Sequence, residues 1–373
     1  MRVALGADQL WAVVPGGIGT YVRELAPALA ASDNVDLAIW RCRTRGPGPD
    51  PVWLRAFDVM EVPGPIRTLY PQWNLLGRPH LPPRFEEVEI VHATGPAGVP
   101  PVRRGTALVV TVHDLAHHRF PDRFPSTWRR LYAAGVRAAV KRAAAIVVPS
   151  RATASDLETL VGADPARIHV TPLAAALSPT TEDPQEVRRR LGVSAPYLLF
   201  VGSLEPRKNV VQLVRAYRQI APEVPHMLVL AGPDGWRVED LEEELAREGP
   251  GVVLRTGWVA ETDLDALYRG ADVFAYPSSF EGFGLPVLEA MARGVPVVTA
   301  ETPALRELTD DAAIRVEPDD VAGLADALVG VLTDPHLTGD LSARGYARAR
   351  SYSWAATARA TLAAYRSAIG ARS

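Results

Sequence analysis

The chain has 373 residues, 47% hydrophobic and 22% charged, with a net charge of −3 and a pI near 6.3. That length exceeds one comfortable core and gives about two domains, and the charge balance offers no electrostatic reason for a nucleic-acid partner. Cys42 is the sole cysteine, which excludes an intrachain disulfide and a cysteine-based zinc site.

Met1 to Asp8 reads as a short buried strand rather than a secretory leader. No apolar run approaches the ~20 residues of a spanning helix, so the expectation is a cytoplasmic protein, at most touching the inner membrane face. Apolar, β-branched runs then predict strands at Val3–Ala7, Val35–Trp40, Ile90–His92, Leu108–Val112, Ala145–Val148 and Ile168–Val170. A second series follows at Tyr197–Val201, Met227–Ala231, Val252–Arg255, Val273–Tyr276, Val297–Ala300 and Ile314–Val316. Continuous apolar strands with helices between them imply parallel sheets covered on both faces, a doubly wound α/β architecture.

Pro172, Pro179, Pro184 and Pro196 punctuate the stretch between the two series. The expected domains are residues 1–178 and 179–353, with a last helix at 354–373 packing back on the first domain. Thr44–Pro51 and Pro63–Pro83 are rich in Pro and Gly and are expected to be irregular.

Chemistry-bearing residues gather at strand ends. Gly202-Ser203-Leu204-Glu205-Pro206-Arg207-Lys208-Asn209 follows a strand and precedes a helix, where backbone N–H groups and the helix dipole favour an anion. Gly202 permits a tight turn, Asn209 or Ser203 could cap the helix, and Arg207 and Lys208 suit phosphate oxygens. Of the 40 basic residues only Lys141 and Lys208 are lysine. Further on, Ser278 to Ala290 forms a glycine-broken loop entering a helix at Pro286. Gly282 and Gly284 let the amides of Phe283, Gly284 and Leu285 approach a polar ligand, while Glu281 and Glu289 bring two carboxylates to the same helix start.

His113-Asp114 follows the strand Leu108–Val112, at the end where such sheets bind ligands. His117 and His118 lie close by, but with no Glu-x-x-His pairing or cysteine a zinc reading is set aside. Asp263-Leu264-Asp265 fits a metal-binding Asp-x-Asp pattern, yet it lies in a helical stretch and reads as a cap and a solvated face. The helix from Trp128 to Arg142 is basic and aromatic; it could meet anionic lipid or an acidic acceptor, although a solvated surface helix is the plainer reading.

Glu281 to Glu289 matches the Glu-x7-Glu motif of retaining GT-B glycosyltransferases of the family-4 type. Gly202 to Asn209 resembles that family's diphosphate-binding turn, Gly16-Gly17-Ile18-Gly19-Thr20-Tyr21 its amino-terminal glycine loop, and Val148-Pro149-Ser150 its strand-end serine. Thr111-Val112-His113-Asp114-Leu115 resembles the acceptor-domain histidine motif of mannosyltransferase-like members. The resemblance implies two Rossmann-like domains facing across a cleft and hexose transfer from a nucleotide-diphosphate sugar to a hydroxyl acceptor. GDP-mannose is the first choice of donor and a UDP-sugar the alternative. It implies that Glu289 binds donor ribose hydroxyls and that Glu281, with the Phe283–Leu285 amides, holds the donor sugar. Arg207 and Lys208 would neutralise the diphosphate in place of a metal, Gly16 and Gly17 would approach the phosphates, and the region around Val259 would contact the base. No cofactor is implied, and front-side transfer with the diphosphate as base is the favoured route. An epimerase on the same fold, or a non-catalytic sugar-nucleotide sensor, are the rivals.

Overall fold

Residues 1–43, 51–176, 181–247 and 249–371 are described by the computed structural model. Their strands are β1 (Arg2–Gly6), β2 (Asp36–Arg43), β3 (Asp58–Pro65), β4 (Ile90–Ala93), β5 (Ala107–Thr111), β6 (Ala145–Val148) and β7 (Ile168–Val170). After them come β8 (Tyr197–Val201), β9 (Met227–Ala231), β10 (Val253–Gly257), β11 (Val273–Tyr276), β12 (Val297–Ala300) and β13 (Ile314–Val316). They form a seven-stranded sheet ordered β3-β2-β1-β4-β5-β6-β7 and a six-stranded sheet ordered β10-β9-β8-β11-β12-β13. Every pairing in both is parallel. The central strands β4, β5, β8, β9 and β11 are buried along their whole length, as the unbroken apolar runs predict. In a doubly wound sheet the ligand crevice lies where strand order reverses. That point falls between β1 and β4 in the first sheet and between β8 and β11 in the second.

The chain divides into two compact units, Met1–Leu173 with Ser353–Ser373, and Ala174–Tyr352. The expected join at 178/179 lies outside the described residues. The helix Trp354–Gly370 packs on the helix Gly16–Ala30 and on β5, β6 and β7.

Three expectations need correction here. Pro63–Pro83 is not irregular: it ends β3 and contains the helix Ile66–Leu76, despite Pro71 inside that helix. Leu69 and Trp73, one turn apart, are buried at 4% and 0% exposure. The Trp73 indole packs edge-on to Trp40 and donates to the Pro79 carbonyl. Burial of that ring outweighs the proline penalty. Of Thr44–Pro51, only Pro51 is among the described residues, and it opens the short helix Pro51–Leu54. Finally, the glycine run at 16–19 is no loop; it opens the helix Gly16–Ala30, with Gly16 itself at φ 58°.

Candidate active site

The two loops at the reversal point of the second sheet, after β8 and after β11, meet in one buried cluster. Glu281 Oε1 accepts from Lys208 Nζ at 2.7 Å, Ser278 Oγ at 2.6 Å and the Tyr276 hydroxyl at 3.1 Å. Arg207 Nη1 stands 3.0 Å from the same oxygen. Arg207 also donates to Glu205 Oε1 and to the Phe280 carbonyl, each at 2.7 Å. The guanidinium is therefore oriented by two carboxylates and one backbone oxygen. Burial pushes the Glu281 carboxyl up, yet the Arg207 and Lys208 charges outweigh it and hold the group down at about 2. For Lys208, burial and then the neighbouring Arg207 charge lower the ammonium from its ordinary value, against the pull of Glu281 and Glu205. Glu281 Oε2 has no hydrogen-bond partner among the described residues. One oxygen of this carboxylate is clamped and the other remains an acceptor.

Backbone geometry brings the loops together. Gly202 follows β8 at φ 151° and Gly232 follows β9 at φ 147°. A Cβ on Gly232 would stand 2.0 Å from the Gly202 carbonyl oxygen, so only glycine permits this approach. Ser279 N–H donates to the Arg207 carbonyl at 2.9 Å, tying the β11 loop to the β8 loop. Gly284, at φ 104°, precedes the helix Leu285–Met291 without a side-chain cap. The N–H groups of Phe283, Gly284 and Leu285 donate to no partner among the described residues.

Glu289, in that helix, is 6% exposed and accepts from the Tyr268 hydroxyl at 3.2 Å through Oε2. Among the described residues no hydrogen bond or ion pair of Glu281 involves Glu289. The two glutamates are instead held at the ends of a ring series, in which Phe274 packs on Tyr268 and on Tyr276. Tyr276 holds Glu281 and Tyr268 holds Glu289. Sequence reasoning passed over both tyrosines. The only available signal was their place, Tyr276 at a strand end beside Pro277 and Tyr268 one helical turn past Asp265.

Asp265 is no solvated face. At 1% exposure it pairs with Arg269 at 2.9 Å and Arg293 at 2.8 Å. Asp263 pairs with Arg190 at 2.5 Å, and the helix Glu261–Arg269 has no side-chain cap. The pattern places alternate acids on opposite faces of the helix, so both work as structural ion pairs. The Asn209 side chain does not cap the helix Val210–Ile220 but donates to the Pro318 carbonyl, and Ser203 does not cap it either. Val259 lies beyond β10 with a buried side chain.

In the first unit, His113 follows β5 and is half-buried. Its Nε2 lies 2.8 Å from the Thr94 carbonyl oxygen, and a carbonyl only accepts, so Nε2 carries the proton. Burial lowers the imidazole below its ordinary value, only partly offset by the Thr94 bond and the Asp114 charge. The ring is neutral near pH 7, and Nδ1 is its acceptor. Asp114 does not hold His113: its carboxylate accepts from the Ala116 N–H at 2.9 Å and caps the next segment. Ser150 caps the helix Arg151–Val161 by accepting from the Thr153 N–H. His117 is 5% exposed, in T-shaped contact with the rings of His118 and Tyr132, and burial brings it down to about 4. Gly17 has open space around its Cα, with nothing within 4 Å of an added Cβ.

The fold is that of the GT-B glycosyltransferases. A solved sucrose-phosphate synthase from Thermosynechococcus elongatus superposes with a TM-score of 0.73 over 98% of each chain, at 20% identity. Residues 15–178 match the model described as Glycosyltransferase Family 4, and residues 195–334 match Glycosyl transferases group 1. O-antigen chain mannosyltransferase B of Escherichia coli is 32% identical over 69% of this chain and 70% of its own. A D-inositol 3-phosphate glycosyltransferase of Xylanimonas cellulosilytica is 32% identical over 96% and 93%. The chain belongs to glycosyltransferase family 4. No helix among the described residues is long and apolar enough to cross a membrane.

Proposed function

We propose that this glycosyltransferase moves a hexose from a nucleoside-diphosphate sugar to a hydroxyl acceptor, retaining anomeric configuration and needing no divalent cation. The observation that carries the reading is the Glu281 clamp. Lys208, Tyr276, Ser278 and Arg207 fix one carboxylate oxygen, and the other is available to a sugar hydroxyl. Arg207 and Lys208 stand beside it, where they would stabilise charge growing on a leaving diphosphate. The unpaired amides at Phe283, Gly284 and Leu285 add donors on the same loop, and Glu289, steadied by Tyr268, is assigned to ribose hydroxyls. Neutral His113 is assigned to a hydroxyl of sugar or acceptor, which its Nδ1 can bind. Front-side transfer, with the departing diphosphate taking the acceptor proton, is the favoured route.

Mannose from GDP-mannose is the first choice of donor, supported by the relative named as a mannosyltransferase. The relatives named for D-inositol 3-phosphate favour a different reading of the acceptor, a small phosphorylated polyol. A thermal-shift screen across GDP- and UDP-sugars decides the donor, since a ligand at 100-fold its dissociation constant adds ~2.7 kcal/mol. Proton NMR of the product reports the anomer, and free epimerised sugar nucleotide would replace transfer with epimerisation. No response to any sugar nucleotide would sink the proposal.

Peripheral membrane contact belongs to the same reading. The helix Ser126–Arg142 contains no acidic residue, and its Trp128 is 57% exposed. Sedimentation with phosphatidylglycerol vesicles should carry the protein down at low salt and release it as salt rises.

A further inference from the structure

We infer that His92 and Tyr365 are positioning residues for His113, acting through Thr111 and Tyr21; this rests on the reading that His113 serves transfer. The four side chains form one buried line. Tyr365, on the carboxyl-terminal helix, has its hydroxyl 2.7 Å from His92 Nδ1. His92 Nε2 lies 2.7 Å from Thr111 Oγ1, and Thr111 Oγ1 lies 3.1 Å from the Tyr21 hydroxyl. All four residues are between 0% and 2% exposed, so water cannot replace a lost partner.

Proton bookkeeping makes the line a unit. Two phenols, one alcohol and a neutral imidazole carry one mobile proton each. The His92 ring donates through one nitrogen and accepts through the other. The two bonds flanking His92 therefore run in one direction along the line, while the Thr111 hydroxyl can donate to Tyr21 or accept from it. Losing one member leaves at least one buried neighbour unpaired, so the effect of a deletion travels.

The line ends at Tyr21, which packs against His113. Thr111 is the last residue of β5, two before His113, and Tyr21 packs its ring edge-on to the His113 ring with centroids 5.0 Å apart. Among the described residues the His113 ring is restrained by the Thr94 carbonyl on Nε2 and by the T-shaped contact with the Tyr21 ring. The hydroxyl that fixes Tyr21 is supplied by Thr111, and the partner that fixes Thr111 is His92. The helix that closes the chain thus sets the orientation of an imidazole on the amino-terminal sheet, by a contact 273 residues apart in sequence.

The test uses Thr111→Val, Thr111→Ser, Tyr365→Phe and His113→Ala in the full chain. GDP-mannose and UDP-glucose serve as probe donors, with release of nucleoside diphosphate as the activity readout. Thr111→Val and Tyr365→Phe should each lower kcat about 10-fold, a loss of alignment rather than of a reacting group. Affinity for GDP and UDP should stay at the wild-type value. Thr111→Ser keeps the hydroxyl and should restore the rate. In 15N spectra the His113 Nε2–H signal should broaden in Thr111→Val and Tyr365→Phe but not in Thr111→Ser. Wild-type kcat in both deletions, with His113→Ala inactive, overturns the relay; so does equal loss in Thr111→Val and Thr111→Ser. Wild-type turnover in His113→Ala overturns the reading of His113 itself, and the relay with it. If Thr111→Val does not fold, Tyr365→Phe and the His113 signal decide alone.

Discussion

Lys208 Nζ lies 2.7 Å from Glu281 Oε1, with the two side chains 9% and 10% exposed. Arg207 and Glu205 complete the cluster, so two cations face two carboxylates and the local charge is balanced before any anion arrives. Removing one partner of a buried pair leaves the other uncompensated, which costs about 3–5 kcal/mol. Glu281→Gln should therefore lower thermal stability. It should leave free nucleoside-diphosphate affinity unchanged or tighter, because a negative charge beside the basic pair is gone, while sugar transfer falls. Glu289→Gln should do the opposite, weakening free nucleotide by about 1.5–3 kcal/mol as a charged acceptor is lost. Calorimetry with GDP and UDP ranks the two, and the reversed order would remove both assignments.

Lys208→Ala should lower turnover more than ground-state affinity, because charge on the leaving diphosphate grows toward the transition state. Arg207 is anchored by Glu205 and Phe280 as well as Glu281, so it keeps its orientation when the lysine is removed. Steady-state kinetics should show kcat falling with KM nearly constant. Activity should also survive EDTA. Abolition by chelation, with recovery on adding magnesium, would show that a metal and not the basic pair carries the diphosphate charge.

Gly284→Ala tests the loop backbone without touching a charge. The residue is at φ 104°, and an added Cβ would stand 2.6 Å from Leu305 Cδ2. Strain in this region costs about 1–3 kcal/mol, and overpacking adds a similar amount. A loss of about 2–4 kcal/mol in urea unfolding is expected, together with weaker donor binding. Unchanged stability would mean that the loop relaxes and does not rely on this conformation.

Most of the strands were legible because parallel strands buried on both faces read as unbroken apolar runs, as Tyr197–Val201 and Met227–Ala231 do, whereas the half-exposed edge strand Asp58–Pro65 was not. The Glu281 and Lys208 motifs were legible as residue types at strand ends. What holds them was not. Tyr276 meets Lys208 across 68 positions and Tyr268 meets Glu289 across 21; such pairs arise from sheet topology, not from local spacing. The helix Ile66–Leu76 was hidden because proline weighs on local propensity, whereas Trp73 burial is a tertiary term. Asp265 looked solvated because its partner Arg293 lies 28 residues on.

Acid stability follows from the buried histidines. Burial lowers His92 from 6.5 to about 3 and His117 from 6.5 to about 4. Below pH 6.5 the unfolded chain takes up protons that the folded chain refuses, so the stability these groups contribute is present above 6.5 and lost as pH falls. Each contributes a slope of about 1.4 kcal/mol per pH unit while only the unfolded form is protonated. Glu281 adds a loss of the same sign from 4.5 down to about 2. Unfolding midpoints should therefore fall steadily from pH 6.5 to 4, and His117→Gln should flatten the slope. A midpoint independent of pH across that window would contradict the buried neutral state of both rings.

His113 carries the prediction with the most at stake. Its Nε2–H donates to the Thr94 carbonyl at 2.8 Å, which leaves Nδ1 as the acceptor for a substrate hydroxyl. Burial keeps the ring neutral near pH 7, and protonation would convert Nδ1 from acceptor to donor. His113→Ala should fold normally, since the half-buried ring supplies little of the core, and should keep its nucleoside-diphosphate affinity. Transfer should fall at least ~100-fold, the lower end of a positioning or acid–base contribution. His118→Ala should cost far less. His117→Ala should cost stability through its lost edge contacts with the His118 and Tyr132 rings rather than rate. In the wild type kcat should be flat above neutrality and fall on acidification, at a pH below the ordinary 6.5 of a histidine. Parallel rate and unfolding measurements on the three alanine variants separate these effects; if His117→Ala loses rate at full stability while His113→Ala does not, the histidine role sits on the wrong residue.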